Sequence, residues 1–115
     1  MQIYYNATCD DSFNAETVLE YLKGTNGWIF SKVERIEDPK QNHEDVVTIG
    51  SVKFEDGSKV QCEIGNSWAA IYGEFEIDNL KWLWELDVRK TREGLFNRTL
   101  LCNSESGHNR FEAEL

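Results

Sequence analysis

The chain has 115 residues, of which 40% are hydrophobic and 12% aromatic. This composition supports one hydrophobic core, so we expect a single domain over residues 1–115 and no extensive disorder. The formal net charge of −9 at pH 7 excludes the basic surface typical of proteins that bind nucleic acid directly. The sequence has no run of 18 apolar residues, so it predicts no membrane-spanning helix.

Cysteine usage indicates the compartment. The three cysteines, Cys9, Cys62 and Cys102, include no CxxC pair, and an odd number argues against a disulfide framework. Residues 1–11 lack the basic start and the long apolar stretch of a secretory signal. We therefore expect a reduced, cytoplasmic protein without a bound metal or cofactor.

One helix is predicted near the N-terminus, where Asn14 can act as the N-cap. The positions that follow at helical spacing on one face are apolar: Ala15, Val18, Leu19 and Leu22. Gly24 is expected to end the helix in the left-handed conformation. Because a helix of about nine residues is not stable alone in water, we expect it to pack on a sheet.

The remaining segments favour strands. Residues 2–8 and 28–36 are predicted as the first two, and the polar stretch 37–45, with Pro39 and His43, is predicted as a surface loop. Residues 80–88 alternate between apolar and mostly polar side chains and predict a long amphipathic strand with Trp82 and Trp84 in the core. A return strand over 95–102 has no register that the sequence determines, and 110–115 is predicted as an edge strand.

The central hairpins can be assigned more closely. Val60, Cys62 and Ile64 alternate with polar residues, and a two-residue turn at Gly65-Asn66 would pair Ile64 with Ser67. For the preceding turn we favour a three-residue loop over 55–57, which pairs residue 52 with 60 and residue 54 with 58 and needs Gly57 in the left-handed conformation.

Residues 47 and 49 then point away from residues 52 and 54. Either Gly50 forms a bulge, or this strand is covered on both faces. The sum of the elements is an α+β fold: a single antiparallel, twisted sheet of about six to seven strands, mostly joined by hairpins, with one short N-terminal α-helix on one face.

The negative charge is concentrated in one part of the chain. Residues 34–78 carry 11 acidic and 4 basic side chains, whereas residues 79–98 carry 3 acidic and 5 basic ones. A solvated acidic surface that keeps the protein soluble is one interpretation. The other is a surface that docks on a basic partner, because opposed fields accelerate association.

Two aromatic residues strengthen the second interpretation. Trp68 and Tyr72 are predicted to lie on the face opposite Ala69 and Ile71, where either the helix or the strand 80–88 covers them or they form a binding hot spot. The candidate partner-binding residues are these two aromatic residues with nearby acids: Glu55, Asp56, Glu63, Trp68, Tyr72, Glu74, Glu76 and Asp78.

No sequence pattern assigns a catalytic residue. His43 and His108 fall in predicted loops, and no Gly-rich phosphate loop or nucleophile elbow is present. Glu74 and Glu76 share one strand face at a spacing that a glycosidase could use, but alternating acids on an exposed strand are usually only solvated. We therefore expect a protein that is not an enzyme and assign no metal ligand.

In size, acidity and absence of a catalytic motif, the chain resembles two groups of small acidic inhibitors. One is the bacterial immunity proteins that neutralise toxins, and the other is the phage anti-defence proteins, such as anti-CRISPR proteins. The leading hypothesis is a non-catalytic inhibitor of a basic protein, such as a nuclease toxin or a nucleic-acid-binding effector. The alternatives are a small-ligand-binding or enzymatic β-cup lined by Trp82 and Trp84, and a structural subunit of a homodimer or larger homo-oligomer.

Overall fold

A computed structural model describes residues 1–37 and 48–115, in which eight strands form one antiparallel sheet. The predicted loop that contains Pro39 and His43, together with Val47, lies outside the described residues except for Glu37. The strands are β1 Gln2–Tyr5, β2 Val33–Glu37, β3 Thr48–Phe54, β4 Lys59–Gly65, β5 Trp68–Ile77, β6 Leu80–Lys90, β7 Phe96–Ser104 and β8 Arg110–Glu114; the helices are α1 Ala15–Thr25 and the 3₁₀ helix Gly27–Phe30.

The strand order is β1-β8-β7-β6-β5-β4-β3-β2, so β2 to β8 form a meander and β1 is added beside β8. The α+β class with an antiparallel sheet and a short helix is confirmed. The sheet has eight strands rather than six to seven, and the helix lies between β1 and β2. Strand β8 is not at the edge, because β1 pairs with it from Gln2 opposite Glu114 to Tyr5 opposite Phe111.

Helix α1 begins as the sequence predicts. The Asn14 side chain accepts a hydrogen bond from the Glu16 N–H at 2.9 Å, and the four predicted apolar positions are buried. The prediction for Gly24 is wrong, because this residue lies within the helix. The N–H of Asn26 instead donates to the Leu22 carbonyl at 2.6 Å. Within the described residues no helix is long and apolar enough to cross a membrane.

The turn between β3 and β4 is the predicted three-residue loop. Val52 lies opposite Val60, the Phe54 N–H donates to the Ser58 carbonyl at 2.9 Å, and Gly57 has a φ of +95°. Both alternatives for the region around Gly50 are wrong: the pairing of β3 with β4 runs through it without a shift, and the neighbouring Ile49 is 52% exposed.

The turn between β4 and β5 differs from the prediction. It consists of Asn66 and Ser67, so Gly65 lies opposite Trp68 and Ile64 opposite Ala69. The Trp68 indole lies over Gly65, where an added Cβ would come within 2.3 Å of the ring, and this contact favours the observed register. Because the pairing shifts by two residues, each side chain keeps the predicted face.

The helices cover one face of the sheet, which we call the covered face. Trp82 and Trp84 are buried there, as predicted, and Phe13 stacks on Trp82 with ring centroids 5.4 Å apart. The register that the sequence left open places Trp84 opposite Cys102 and continues along β7. The opposite face of the sheet, which we call the open face, carries the charged residues of β5 and β6.

Gly73 and Gly24 give opposite predictions for alanine substitution. A Cβ at Gly73 would lie 2.4 Å from the Trp84 ring, so Gly73→Ala is expected to destabilise the fold by about 1–3 kcal/mol. A Cβ at the helical Gly24 meets nothing within 4 Å, so Gly24→Ala is expected to stabilise it by about 0.5–1 kcal/mol. Urea unfolding of both variants measures the difference, and a stable Gly73→Ala variant would contradict the close approach of Trp84.

Candidate functional site

Five side chains surround Ala70 on the open face. Ala70 lies between Glu63 of β4 and Asp87 of β6, which are its direct neighbours across the sheet. Trp68 and Tyr72 lie two residues before and after it on β5, and so share its face. Glu85 lies opposite Tyr72, and the basic Arg89, at the margin of this group, lies opposite Trp68. We call this set the acidic–aromatic patch: Glu63, Trp68, Tyr72, Glu85 and Asp87.

The aromatic residues of the patch differ in exposure. Tyr72 is 58% exposed, whereas Trp68 is half-buried because its indole lies on Gly65. Both project from the face opposite the helices, so α1 does not cover them. Two further apolar side chains, Ile49 at 52% and Leu83 at 44% exposure, lie on the same face. The open face therefore presents apolar surface beside charge.

The carboxylates of the patch repel one another. The pKa of Glu85 is raised, first by a hydrogen bond shared with Asp87, then by partial burial and by the charges of Asp87 and Glu63. Partial burial also raises the pKa of Tyr72, with smaller contributions from the surrounding carboxylates. In the described part of the chain, no salt bridge joins Glu63, Glu85 or Asp87 to a basic side chain. A cation placed here would relieve this repulsion.

Glu74 and Glu76 lie further along the open face of β5. Glu74 forms a salt bridge of 3.2 Å with Lys81, and this contact raises the pKa of the lysine. Asp78 has a structural role in the turn between β5 and β6, where its φ of 52° and the φ of 65° at Asn79 are those of a type I′ turn.

Glu55 and Asp56 do not lie in the acidic–aromatic patch. Their turn precedes β4, at the end of that strand opposite to the one that pairs with Trp68. Asp56 accepts hydrogen bonds of 2.8 Å from the Ser58 N–H and from the Ser31 hydroxyl, and both lower its pKa. These contacts tie the turn to the segment that follows the 3₁₀ helix.

Glu85 and Asp87 are the patch residues that the sequence reasoning missed. The information was present, because both alternate with Trp82 and Trp84 and so had to lie on the open face. An Asp78-Asn79 turn, which suits a type I′ hairpin, would have placed Glu85 opposite Tyr72. The pairing register of the β5–β6 hairpin was therefore the information needed to assign Glu85 and Asp87 to the patch.

The cysteines Cys62 and Cys102 and the histidine His108 have structural rather than chemical roles. Burial raises the pKa of the Cys62 thiol to about 11 and that of Cys102 to about 12, so both stay protonated and weakly nucleophilic at neutral pH. His108 Nε2 lies 2.7 Å from Asp10 Oδ1 and joins the segment after β1 to the turn before β8. Residues 1–37 and 48–115 contain no group of three or more His, Cys, Asp or Glu that could hold a metal.

A cleft of about 650 Å³ opens between β4 and β5. Trp84 and Trp28 line it from the covered face, and Tyr72 and Ile49 line it from the open face. Trp82 does not line this cleft but a separate one of about 380 Å³, so the two tryptophans do not share the β-cup expected from the sequence. The cleft adjoins the acidic–aromatic patch, because both include Tyr72 and Glu63.

Comparison of the chain with protein-family models, with curated proteins and with solved structures finds no match. The function is therefore argued from the acidic–aromatic patch and the adjoining cleft.

The substitution Glu85→Gln is expected to stabilise the fold at pH 7 and to have less effect as the pH falls toward 4.5, the ordinary pKa of this group. A raised pKa means that the folded state binds the Glu85 proton more tightly than the unfolded state does. The stability that the wild-type protein gains from the protonated Glu85 is complete below the unfolded pKa of this group. It is lost as the pH rises through the folded pKa. Thermal unfolding at a series of pH values measures it.

Glu37→Gln is the matched control with the opposite sign. Hydrogen bonds from Lys59 and Arg35 lower the pKa of Glu37 to about 2, so its contribution is present above the unfolded pKa of 4.5 and is lost as the pH falls toward 2. We expect this variant to be destabilised at pH 7 and to match the wild type at the acid end. A Glu85→Gln variant that is destabilised at pH 7 would contradict mutual repulsion in the patch.

Proposed function

We propose that this protein is a small, acidic, non-catalytic inhibitor that docks on a basic surface of a protein partner through the acidic–aromatic patch. The observation that carries the proposal is a set of three carboxylates that form no salt bridge with a basic side chain in the described residues. They lie beside the exposed Tyr72 on the sheet face opposite the helices. The patch residues that the sequence indicated, Glu63, Trp68 and Tyr72, form one part of this surface.

The proposed mechanism is occupation of a phosphate-binding groove. The carboxylates would steer the protein toward lysine and arginine residues and then pair with them. A basic side chain beside Glu85 and Asp87 would neutralise the repulsion that raises the pKa of Glu85. Tyr72 and Trp68 would supply the apolar contact area at low conformational cost.

Toxin-immunity proteins and phage anti-defence proteins, including anti-CRISPR proteins, are the classes that fit this mechanism. Their partners would be a nuclease toxin or a nucleic-acid-binding effector, whose basic groove the patch would fill. We place the protein in the cytoplasm, where its free cysteines would remain reduced.

The test begins by capturing the partner from the source cells on immobilised wild-type protein. The affinity of the isolated partner is then measured for patch variants and for a control of equal charge. Tyr72→Ala is expected to weaken binding by roughly 30-fold, the effect typical of an interface hot spot. Glu63→Gln/Asp87→Asn is expected to lower the association rate and the dependence of that rate on salt.

The control is Glu20→Gln/Glu93→Gln, which removes the same charge from exposed positions on α1 and on the loop between β6 and β7. Its affinity is expected to stay within about twofold of wild type, the range typical of surface changes away from an interface. If the partner is an enzyme, its inhibition should fall in proportion to the affinity of each patch variant. Equal affinities for the patch variants and the control would overturn the assignment of the surface.

A further inference from the structure

The pairing of β4 with β5 is shorter than either strand. It runs from Gly65 opposite Trp68 only to Glu63 opposite Ala70, whereas β5 pairs with β6 along its full length to Ile77. The cleft of about 650 Å³ begins where this pairing stops. Among the described residues, no strand lies beside β5 on its β4 side after Ala70.

The geometry of the turn between β5 and β6 shows which backbone groups of β5 form hydrogen bonds with β6. Ile77 and Leu80 flank the two-residue turn, and residues in this position form a hydrogen-bonded pair. Hydrogen-bonded pairs recur at every second residue of an antiparallel ladder. The Lys90 N–H donates to the Ser67 carbonyl at 2.8 Å, in agreement with this parity. The odd-numbered residues of β5 therefore bond to β6.

The even-numbered residues of β5 direct their backbone N–H and C=O groups away from β6, toward the side on which β4 lies. Gly65 and Trp68 flank the turn into β5, and their hydrogen-bonded pairing agrees with this assignment. The N–H and C=O groups of Tyr72, Glu74 and Glu76 consequently face the cleft. Within residues 1–37 and 48–115 these donors and acceptors have no backbone partner, and such a row is the template for addition of a strand.

We propose that this edge of β5 binds an extended segment of the basic partner as an additional antiparallel strand, a proposal that rests on the proposed function. The main chain of the segment would pair with Tyr72, Glu74 and Glu76. Its side chains would alternate between the open face and the covered face. The surroundings on each face therefore determine which type of residue the segment carries there.

Side chains on the open face would be basic. A residue directly opposite Glu74 or Glu76 in a hydrogen-bonded antiparallel pair lies on the same face as that glutamate. Glu76 is exposed and has no salt bridge within the described residues, and Glu74 has only the exposed contact with Lys81.

Side chains on the covered face would be apolar. Phe75 lies on this face but is only half-buried, and Tyr21, which is 41% exposed, stacks on it with ring centroids 5.1 Å apart. Trp84 and Trp28 line the cleft on the same side. The ligand class is thus an extended peptide in which basic and apolar residues alternate.

The probe is a synthetic peptide of four Lys-Val repeats with blocked ends, titrated into the full-length protein. Two further peptides carry N-methyl groups either on every lysine or on every valine. Because residues opposite Tyr72, Glu74 and Glu76 share their face, the lysine N–H groups are the ones that would face β5. Methylated lysines are expected to weaken binding at least about tenfold, and methylated valines by less than about threefold.

The binding site is read from the ¹H–¹⁵N spectrum. The amide signals of Tyr72, Glu74 and Glu76 are expected to shift most on addition of the Lys-Val peptide, and a Glu-Val peptide is expected not to bind. Equal binding of the two methylated peptides, with shifts confined to the indole N–H of Trp68, would overturn strand addition. Shifts of the edge amides on concentration of the protein alone would assign the edge to a second copy and overturn the basic-peptide assignment.

A matched pair of protein variants gives a second readout. Glu76→Pro removes an N–H that faces the cleft without removing a bond to β6, and Glu76→Gln removes the same charge but keeps the N–H. Peptide affinity is expected to be at least about tenfold lower for the proline variant than for the glutamine variant. Equal affinities of two folded variants would overturn the proposal.

The peptide experiment and the partner experiment test different proposals, so either proposal can be rejected while the other stands. A partner whose binding depends on Glu63 and Asp87, together with a β5 edge that binds none of the peptides, would leave the proposed function standing and reject strand addition. Peptide binding that follows the methylation pattern, together with a partner insensitive to every patch variant, would do the reverse.

Discussion

Backbone N–H and C=O groups in a sheet need hydrogen-bond partners, and β5 meets this requirement on one side only. Toward β6 every odd-numbered residue is paired, whereas toward β4 the pairing ends at Ala70. The groups after Ala70 that have no backbone partner in the described part of the chain open onto a cleft, where water or another strand can satisfy them. The cleft, the partial exposure of Phe75 and the position of Tyr72 at its rim all follow from this one-sided pairing.

Aromatic packing joins the two parts of the sheet where their backbones separate. The ring of Trp28 lies 5.3 Å from that of Phe54 on β3 and 6.0 Å from that of Trp84 on β6. Trp84 in turn lies over Gly73, the residue of β5 that has no side chain. Contacts on the covered face thus keep the two parts together without backbone pairing. On the open face, the carboxylates beside the cleft repel one another and leave Tyr72 exposed, so the charged surface and the free strand edge are adjacent.

Local patterns predicted the faces of the strands but not their complete pairing. The alternation around Val60 and along residues 80–88 assigned each side chain correctly, because a shift of two residues at the Gly65 turn leaves every face unchanged. Trp28, which lines the cleft between β4 and β5, reaches it from a 3₁₀ helix in a segment that the sequence predicted as a strand. The role of Glu85 depends on the register of the β5–β6 hairpin, which the turn residues Asp78 and Asn79 indicate but which was not assigned from the sequence. Asp78 was assigned to binding because its charge was considered without its backbone conformation.

Amide hydrogen exchange of the free protein, measured residue by residue by NMR, tests the one-sided pairing of β5 most directly. The account predicts alternation: the amides of Ile71, Gly73 and Phe75 exchange slowly because they bond to β6, and those of Tyr72, Glu74 and Glu76 exchange fast. Slow exchange at all six amides would mean that a strand already occupies this edge. That result would contradict both the open edge and the docking of a partner strand on it.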